Sequence, residues 1–202
     1  MDLPLTPELV LAGYRAGIFP MGVEGGEIAW FSPDPRCIIP LQPVEAFRTP
    51  RSLRQTIRRG AFEIRVNSAF AEVVAGCADR DEGTWISPEI AAVYTELHRR
   101  GYAHSVEAWH AGALAGGLYG VVIGGAFFGE SMFTRVTDAS KVALVRLVER
   151  LRERGFVLLD TQWSTPHLAR FGAVEIRRRE YLLRLKSAVG LPRRFCDELA
   201  CP

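Results

Sequence analysis

The chain has 202 residues, of which 48% are hydrophobic and 24% charged, with a formal net charge of +2. That length suits one large domain, or a main domain with a smaller one attached, and the composition is that of a globular chain able to bury a core. So small a net charge names no polyanionic partner by itself, four scattered cysteines (Cys37, Cys77, Cys196 and Cys201) give neither a CxxC pair nor a metal-like spacing, and no run reaches the ~18 apolar residues that a membrane span needs.

In chain order, Met1-Asp2-Leu3-Pro4-Leu5-Thr6 lacks the basic segment and long apolar run of a signal peptide, so a reducing cytoplasm is the expected compartment. Thr6-Pro7-Glu8 reads as an N-cap, first-turn proline and acidic residue opening a helix through about Arg15, which Gly17 ends. Ile18 to Met21 and a glycine-rich loop follow. The prolines of Trp30-Phe31-Ser32-Pro33-Asp34-Pro35-Arg36 impose extended and turn geometry. Residues 37–41 read as a short strand. A basic helix is predicted over 51–59, with Leu53 and Ile57 at i,i+4 and arginines on the remaining surface.

Phe62 to Val66 alternates as a half-buried strand does. Helices over about 68–78 and 88–100 flank the loop Arg80-Asp81-Glu82-Gly83-Thr84-Trp85. After Gly101 the pattern changes. Residues 103–109, 112–120 and 121–129 read as an antiparallel meander, with glycines at 112, 116, 117, 120, 124 and 125 marking turns or bulges. Asp138 opens a helix with the apolar stripe Leu144, Leu147, Val148 and Leu151 and a wet face of Arg146, Glu149, Arg150 and Glu153; Gly155 stops it. A buried strand over 156–162, a short helix from Thr165 to Gly172, a strand over 173–177 and a helix over about 179–188 complete the chain. The fold class is α/β (α+β). A small N-terminal α/β domain over 1–62 precedes a main domain over 63–202, with a boundary that could fall as late as about 101.

Two stretches carry polar groups into apolar surroundings: Phe127-Phe128-Gly129-Glu130-Ser131-Met132-Phe133 and Leu158-Leu159-Asp160-Thr161-Gln162. Burying an unpaired carboxylate costs several kcal/mol, so Glu130 and Asp160 point to use, in binding an amine or placing a proton. The plainer alternatives are an aromatic-methionine run that is simply core and a carboxylate capping a strand end. By strand alternation Asp160 and Gln162 face the same way and could act on one ligand. Strand ends are where open α/β sheets gather ligands.

Other constellations are thinner. Ser131 to Lys141 joins strand to helix with Thr134, Arg135, Thr137 and Ser140, but lacks the glycine pattern of a phosphate-cradling loop. Arg48, Arg51, Arg54, Arg58 and Arg59, with no acid among residues 48–59, and the Arg177-Arg178-Arg179 run suit phosphate or a solvated face alike. Trp30, Trp85, Trp109 and Trp163 could stack on a nucleobase, Trp85 best because it lies in a polar loop. His104 has no Cys or Asp near it in the chain and reads as a satisfied structural histidine. No nucleophile elbow, metal site, Walker loop or dinucleotide fingerprint is present.

Five of these segments in one order, Tyr14-Arg15-Ala16-Gly17-Ile18-Phe19-Pro20, Trp30 to Arg36, Asp81-Glu82-Gly83-Thr84-Trp85-Ile86, Gly129-Glu130-Ser131-Met132-Phe133 and Asp160-Thr161-Gln162, resemble the bacterial leucyl/phenylalanyl-tRNA–protein transferases. The resemblance runs from about Leu9 to Leu185. It implies an enzyme that transfers Leu or Phe, also Met, from aminoacyl-tRNA to the N-terminal Arg or Lys of proteins, creating an N-degron. It also implies a C-terminal domain of the acyl-CoA N-acyltransferase (GNAT) fold, with no cofactor or metal and no membrane partner; a monomer is expected. The implied catalytic residues are Asp160, Gln162 and Glu130, with Asp160 polarising the Gln162 amide. The implied aminoacyl pocket is Leu118, Phe127, Met132, Leu144 and Leu159. Trp85 would hold the terminal adenosine, and Arg51, Arg54, Arg58 and Arg59 the acceptor stem.

Two departures qualify the resemblance. After Ile18-Phe19-Pro20 some members carry a tryptophan packed at the adenosine site where this chain has Met21, and the N-terminal extension of some relatives is missing, so a minimal N-terminal domain is expected. The rivals are a CoA-dependent GNAT acetyltransferase, which needs a glycine-bearing pyrophosphate loop that residues 135–140 lack, and a non-catalytic tRNA-binding module, which leaves Asp160 and Gln162 without a task.

Overall fold

The first helix, α1 (Pro7–Arg15), forms where its capping residues predict. Thr6 Oγ1 accepts the Leu9 N–H at 3.2 Å, Pro7 loses nothing by lacking an N–H in the first turn, and Gly17 leaves the helix at φ +80°. The computed structural model describes residues 4–81 and 83–197; Glu82 of the predicted loop and Cys201 lie outside them. Strands β1 (Phe19–Gly22) and β2 (Ile28–Phe31) pair as a two-stranded ribbon, with Phe19 opposite Phe31 and Met21 opposite Ala29. Next come β3 (Arg36–Ile39), α2 (Arg51–Arg58), β4 (Glu63–Val66), α3 (Phe70–Ala78) and α4 (Pro88–Arg99). The second half of the chain supplies β5 (Ala103–His110), β6 (Ala113–Ile123), β7 (Ala126–Thr134), α5 (Ala139–Glu153), β8 (Leu158–Gln162), α6 (Pro166–Ala169), β9 (Val174–Ile176) and α7 (Arg178–Val189).

Seven strands form one mixed sheet in the order β4-β5-β6-β7-β8-β3-β9. Every pairing is antiparallel except β7 with β8. Strand β3, from before residue 62, lies between β8 and β9, so the sheet takes strands from both sides of that position. Two cores form on its two faces. One packs α1, α3, α4 and α7 around Tyr14, Val73, Ile90, Tyr94, Phe128 and Tyr181; the other packs α5 and Leu53 of α2 around Leu118, Phe127, Leu147, Leu159 and Phe195. All four residues of the predicted Leu144-Leu147-Val148-Leu151 stripe are buried. No helix among the described residues is long and apolar enough to cross a membrane.

The meander is present, but its second turn falls elsewhere. The expected break after residue 120 does not occur: β6 continues to Ile123 and turns at Gly124, φ +59°, and Gly125. Gly116 and Gly120 serve close packing. A Cβ at Gly116 would lie 2.8 Å from the Ala139 Cβ, and one at Gly120 would strike the Phe128 carbonyl and the Phe127 ring. Strand β7 is correspondingly displaced and reaches Thr134, which keeps Glu130 to Phe133 inside the sheet.

Candidate active site

Each of the two polar stretches carries a β-bulge at the point where its polar residues occur. Tyr119 pairs with Ser131 while Gly120 pairs with Gly129, leaving Glu130 as the extra residue of β7. Cys37 pairs with Gln162 while Ile38 pairs with Asp160, leaving Thr161 as the extra residue of β8, and Gln162 takes φ +63°. A bulge re-aims side chains that simple alternation would send elsewhere. The predicted common facing of Asp160 and Gln162 therefore does not hold: Asp160 turns into the protein and Gln162 lies at the cavity wall.

Asp160 is completely buried and fully partnered. Arg36 Nε donates to Oδ1 at 2.9 Å and Nη2 to Oδ2 at 2.6 Å, Tyr181 donates its hydroxyl to Oδ2 at 2.7 Å, and the Gln162 backbone N–H donates to Oδ1 at 2.9 Å. Arg36 is 1% exposed, sandwiched between the Phe19 and Tyr181 rings at 4.7 and 4.5 Å. Burial alone would lower the guanidinium pKa, but the bond to Asp160 and its charge raise it, so the ion pair persists. Burial first, and then the negative charge of Asp160, holds the Tyr181 phenol protonated and so a donor. Asp160 thus receives the main-chain N–H of Gln162, not its side-chain amide, which differs from the polarised-amide arrangement the resemblance implied.

Glu130 has a different environment. Gln162 Nε2 donates to its Oε1 at 3.0 Å and the Tyr94 hydroxyl to its Oε2 at 3.2 Å; behind it Tyr94 and Tyr14 share a 2.6 Å hydroxyl contact. No cation is within ion-pair distance of this carboxylate among the described residues. Burial raises its pKa to about 7 against the pull of the tyrosine hydroxyls, and the nearby Asp160 charge adds to the rise. At neutral pH Glu130 is poised between its two protonation states.

Glu130 and Gln162 stand at the wall of a cavity of about 440 Å³. Its apolar part brings together Leu118, Met132, Leu144 and Leu159, four of the five residues the resemblance named for a pocket, with Leu147 and Leu168. Phe127 does not join them: its side chain fills the second core, beneath Gly120 and 5.4 Å from the Phe195 ring. Asp160 does not line the cavity either. Trp85 and Met21 do, both half-buried. They are tied together by the Gly22 N–H donating to the Trp85 carbonyl at 3.0 Å, an approach that a Cβ on Gly22 would block at 2.7 Å. Trp163 is also at the cavity, 40% exposed and edge-on to Phe19 and Phe31. Trp30 instead packs on Gly13 in the first core, and Trp109 donates to Glu107 beneath the Arg65 guanidinium.

The remaining expected groups are separate from the cavity. Helix α2 sets Leu53 and Ile57 inward as predicted, and Arg51, Arg54, Gln55 and Arg58 line a second concavity of about 350 Å³; Arg59 lies exposed at the helix end, outside it. The N-terminus of α5 is poorly suited to an anion, because Thr134 Oγ1 takes the Ser140 N–H and the Asp138 carboxylate sits there, joined to Lys141 and Thr56. His104 is buried between Asn67 and the Gly101 carbonyl, and burial lowers its pKa to about 3, so it is a neutral structural group. Arg36, Tyr181, Tyr14 and Tyr94 were not predicted as site residues. The available signal was an arginine opening the apolar run Arg36-Cys37-Ile38-Ile39, since a buried carboxylate requires a counter-charge.

Comparison with known proteins leads to the same family. A family model described as leucyl/phenylalanyl-tRNA protein transferase matches residues 41–186, and one for the N-terminal domain of that transferase matches residues 4–34. The leucyl/phenylalanyl-tRNA–protein transferase of Rubrobacter xylanophilus is 55% identical over 192 residues, covering 95% of this chain and 98% of its own. That of Herpetosiphon aurantiacus is 57% identical over 189 residues, covering 94% and 97%. Among solved structures, L-PGS from Bacillus licheniformis aligns with 80% of this chain and 55% of its own at 14% identity and a TM-score of 0.42, which adds nothing to the family assignment.

Proposed function

The chain belongs to the leucyl/phenylalanyl-tRNA protein transferase family and is an aminoacyltransferase, and from that premise we propose that it transfers leucine or phenylalanine, and also methionine, from aminoacyl-tRNA to the N-terminal Arg or Lys of acceptor proteins, marking them as N-degrons. The observation that carries this reading is one cavity lined both by a set of apolar side chains and by the Glu130–Gln162 pair. An apolar side chain seats against Leu118, Met132, Leu144 and Leu159, leaving its ester at the polar pair. Such a wall discriminates by only ~1–3 kcal/mol per methylene, which fits tolerance of several apolar donors.

The donor ester is already activated, so bond formation needs two substrates held in line and one proton managed. The acceptor amine attacks the ester carbonyl, the ester C–O bond breaks as the amide forms, and the ribose oxygen leaves carrying a proton. Gln162 gives its amide N–H to Glu130, which leaves its Oε1 free to accept an N–H of the attacking amine and orient the lone pair. Glu130, poised near pH 7, takes up the proton that the ammonium must lose first. Asp160 touches neither substrate in this scheme; through Gln162's backbone it is a positioning residue.

Trp85 and Met21 stack on the terminal adenosine, with Met21 offering its thioether where some relatives have an indole. Arg51, Arg54, Arg58 and Arg59 meet the acceptor-stem phosphates, which makes affinity salt-sensitive. The β5-β6-β7 meander, followed by α5 and by β8 lying parallel to β7, supports a GNAT-like reading of residues 63–197. In that division residues 1–62 supply the β1–β2 ribbon and α1, and lend β3 to the larger sheet. The test is incubation with radiolabelled leucyl-tRNA and a peptide beginning with Arg. Label is expected in the peptide; none, under conditions where a known transferase works, overturns the reading.

A further inference from the structure

Arg80 is a charged side chain at this cavity to which no role has yet fallen. It follows α3, and its guanidinium is held in place by uncharged acceptors. Nε donates to the Cys77 carbonyl at 3.1 Å, while Nη2 donates to Ser131 Oγ at 2.8 Å and more weakly to the Met132 carbonyl at 3.3 Å. All three acceptors are uncharged. No carboxylate of the described residues lies within ion-pair distance of it; its sequence neighbours Asp79 and Asp81 are exposed and make no such pair. The side chain is exposed yet lines the cavity that Trp85 and Glu130 also line. These three bonds call on N–H donors and not on the positive charge, which no carboxylate of the described residues offsets. A fixed guanidinium with free donors, in one cavity with an aromatic ring able to stack on a base, is a phosphate-binding arrangement.

We propose that Arg80 binds the phosphodiester on the 5′ side of the terminal adenosine, so that the site recognises a dinucleotide end and not an aminoacyl nucleoside alone. The inference rests on the aminoacyl-tRNA reading above. It differs from the α2 arginines in place and in purpose. Those lie with α5 on the opposite face of the sheet and would hold the duplex stem, whereas Arg80 sits on the α3 side within the reaction cavity. Binding the linkage next to the reacting nucleotide uses contacts remote from the ester to fix the ester itself.

The experiment compares two donors that differ by one phosphodiester: leucyl-adenosine and leucyl-CpA, each with an Arg-initiated peptide. Wild-type kcat/KM is expected to be higher for leucyl-CpA, and that advantage to shrink with added salt, with a log–log slope of roughly −0.7 for a single phosphate contact. This readout needs no variant. Arg80→Gln is expected to lower kcat/KM for leucyl-CpA about tenfold more than for leucyl-adenosine, and Arg80→Lys to restore part of the difference. Equal losses with both donors would assign Arg80 only to tying α3 to β7 and overturn the proposal. So would a wild-type enzyme indifferent to the phosphodiester. Transfer from neither donor nor from leucyl-tRNA would instead bring down the aminoacyl-tRNA reading beneath it.

Discussion

The two carboxylates beside the cavity are neighbours with opposite environments. Asp160 has an arginine, a tyrosine hydroxyl and a main-chain N–H, and no exposure; Glu130 has one hydroxyl, one amide and, among the described residues, no ion-paired cation. Burial, the largest influence on Glu130, raises its pKa to about 7 against its hydroxyl partners and the more distant Arg36 charge. Both also adjoin a bulge, and the two bulges do different things. In β7 the bulged residue is the carboxylate itself, lifted out of the ladder towards the cavity. In β8 the bulged residue is Thr161, and the carboxylate before it is driven inward, where it holds Gln162 at φ +63°. A strained backbone beside a reacting centre persists only when its surroundings fix it, and Asp160 with Arg36 is what fixes it here. We therefore assign Asp160 to holding the shape of the site and propose Glu130 for its proton work.

That division stands or falls first on Asp160. Removing one member of a buried ion pair strands the other charge, at a cost of about 3–5 kcal/mol. Asp160→Ala is expected to lose that much stability in urea denaturation, along with most transfer activity, because Arg36 is left unpaired and Gln162 unsupported. Arg36→Met combined with Asp160→Ala should recover much of the stability without recovering activity. An Asp160→Ala protein of wild-type stability that is nonetheless inactive would move Asp160 from positioning to direct chemistry.

Glu130→Gln should show the reverse pattern, a folded protein with slow chemistry. General-base assistance is worth about 10²–10⁴-fold, and the loss in kcat/KM is expected near the lower end because the donor is activated. The wild-type log kcat/KM should climb with pH and bend near 7, as Glu130 ionises and can accept a proton. The variant should lack that bend. A bend retained in Glu130→Gln would assign it to another group, such as the acceptor amine.

Much of this frame is legible in the sequence, and the illegible parts have specific causes. Helix ends are local, so Thr6-Pro7, Gly17 and Gly155 mark them, and the Leu144 to Leu151 stripe announces its buried face. Glycine is ambiguous, because a turn and a close approach both demand it. Gly124 turns the chain while Gly116 and Gly120, each beside a bulge as the sequence allowed, admit Ala139 and Phe128, and ending the second strand at residue 120 displaced β7. Bulges depend on the facing strand, so nothing within Gly129-Glu130-Ser131 reveals which residue is extra, nor that Phe127 is sent to the core and Met132 to the cavity. The Arg36–Asp160 pair spans 124 positions and exists because β3 enters the sheet beside β8, a placement that no local pattern encodes.

The smallest expected effect separates the two acids without any substrate. A carboxyl whose pKa rises from 4.5 in the unfolded chain to about 7 in the folded one stays protonated in the native state while the unfolded state ionises. Its contribution to stability is fully present below pH 4.5 and is lost as pH rises through 7. Glutamine at this position keeps the amide-sized polar group and never ionises. The stability of Glu130→Gln relative to wild type should therefore grow between pH 5 and pH 8, by about 1–3 kcal/mol, and then level off. Denaturation midpoints across that range measure it directly. A flat difference would mean that Glu130 is solvated or paired well enough to ionise normally, and the proton-accepting role would lose its physical basis, since only a carboxylate that resists ionisation inside the fold can exchange a proton with an amine near neutral pH.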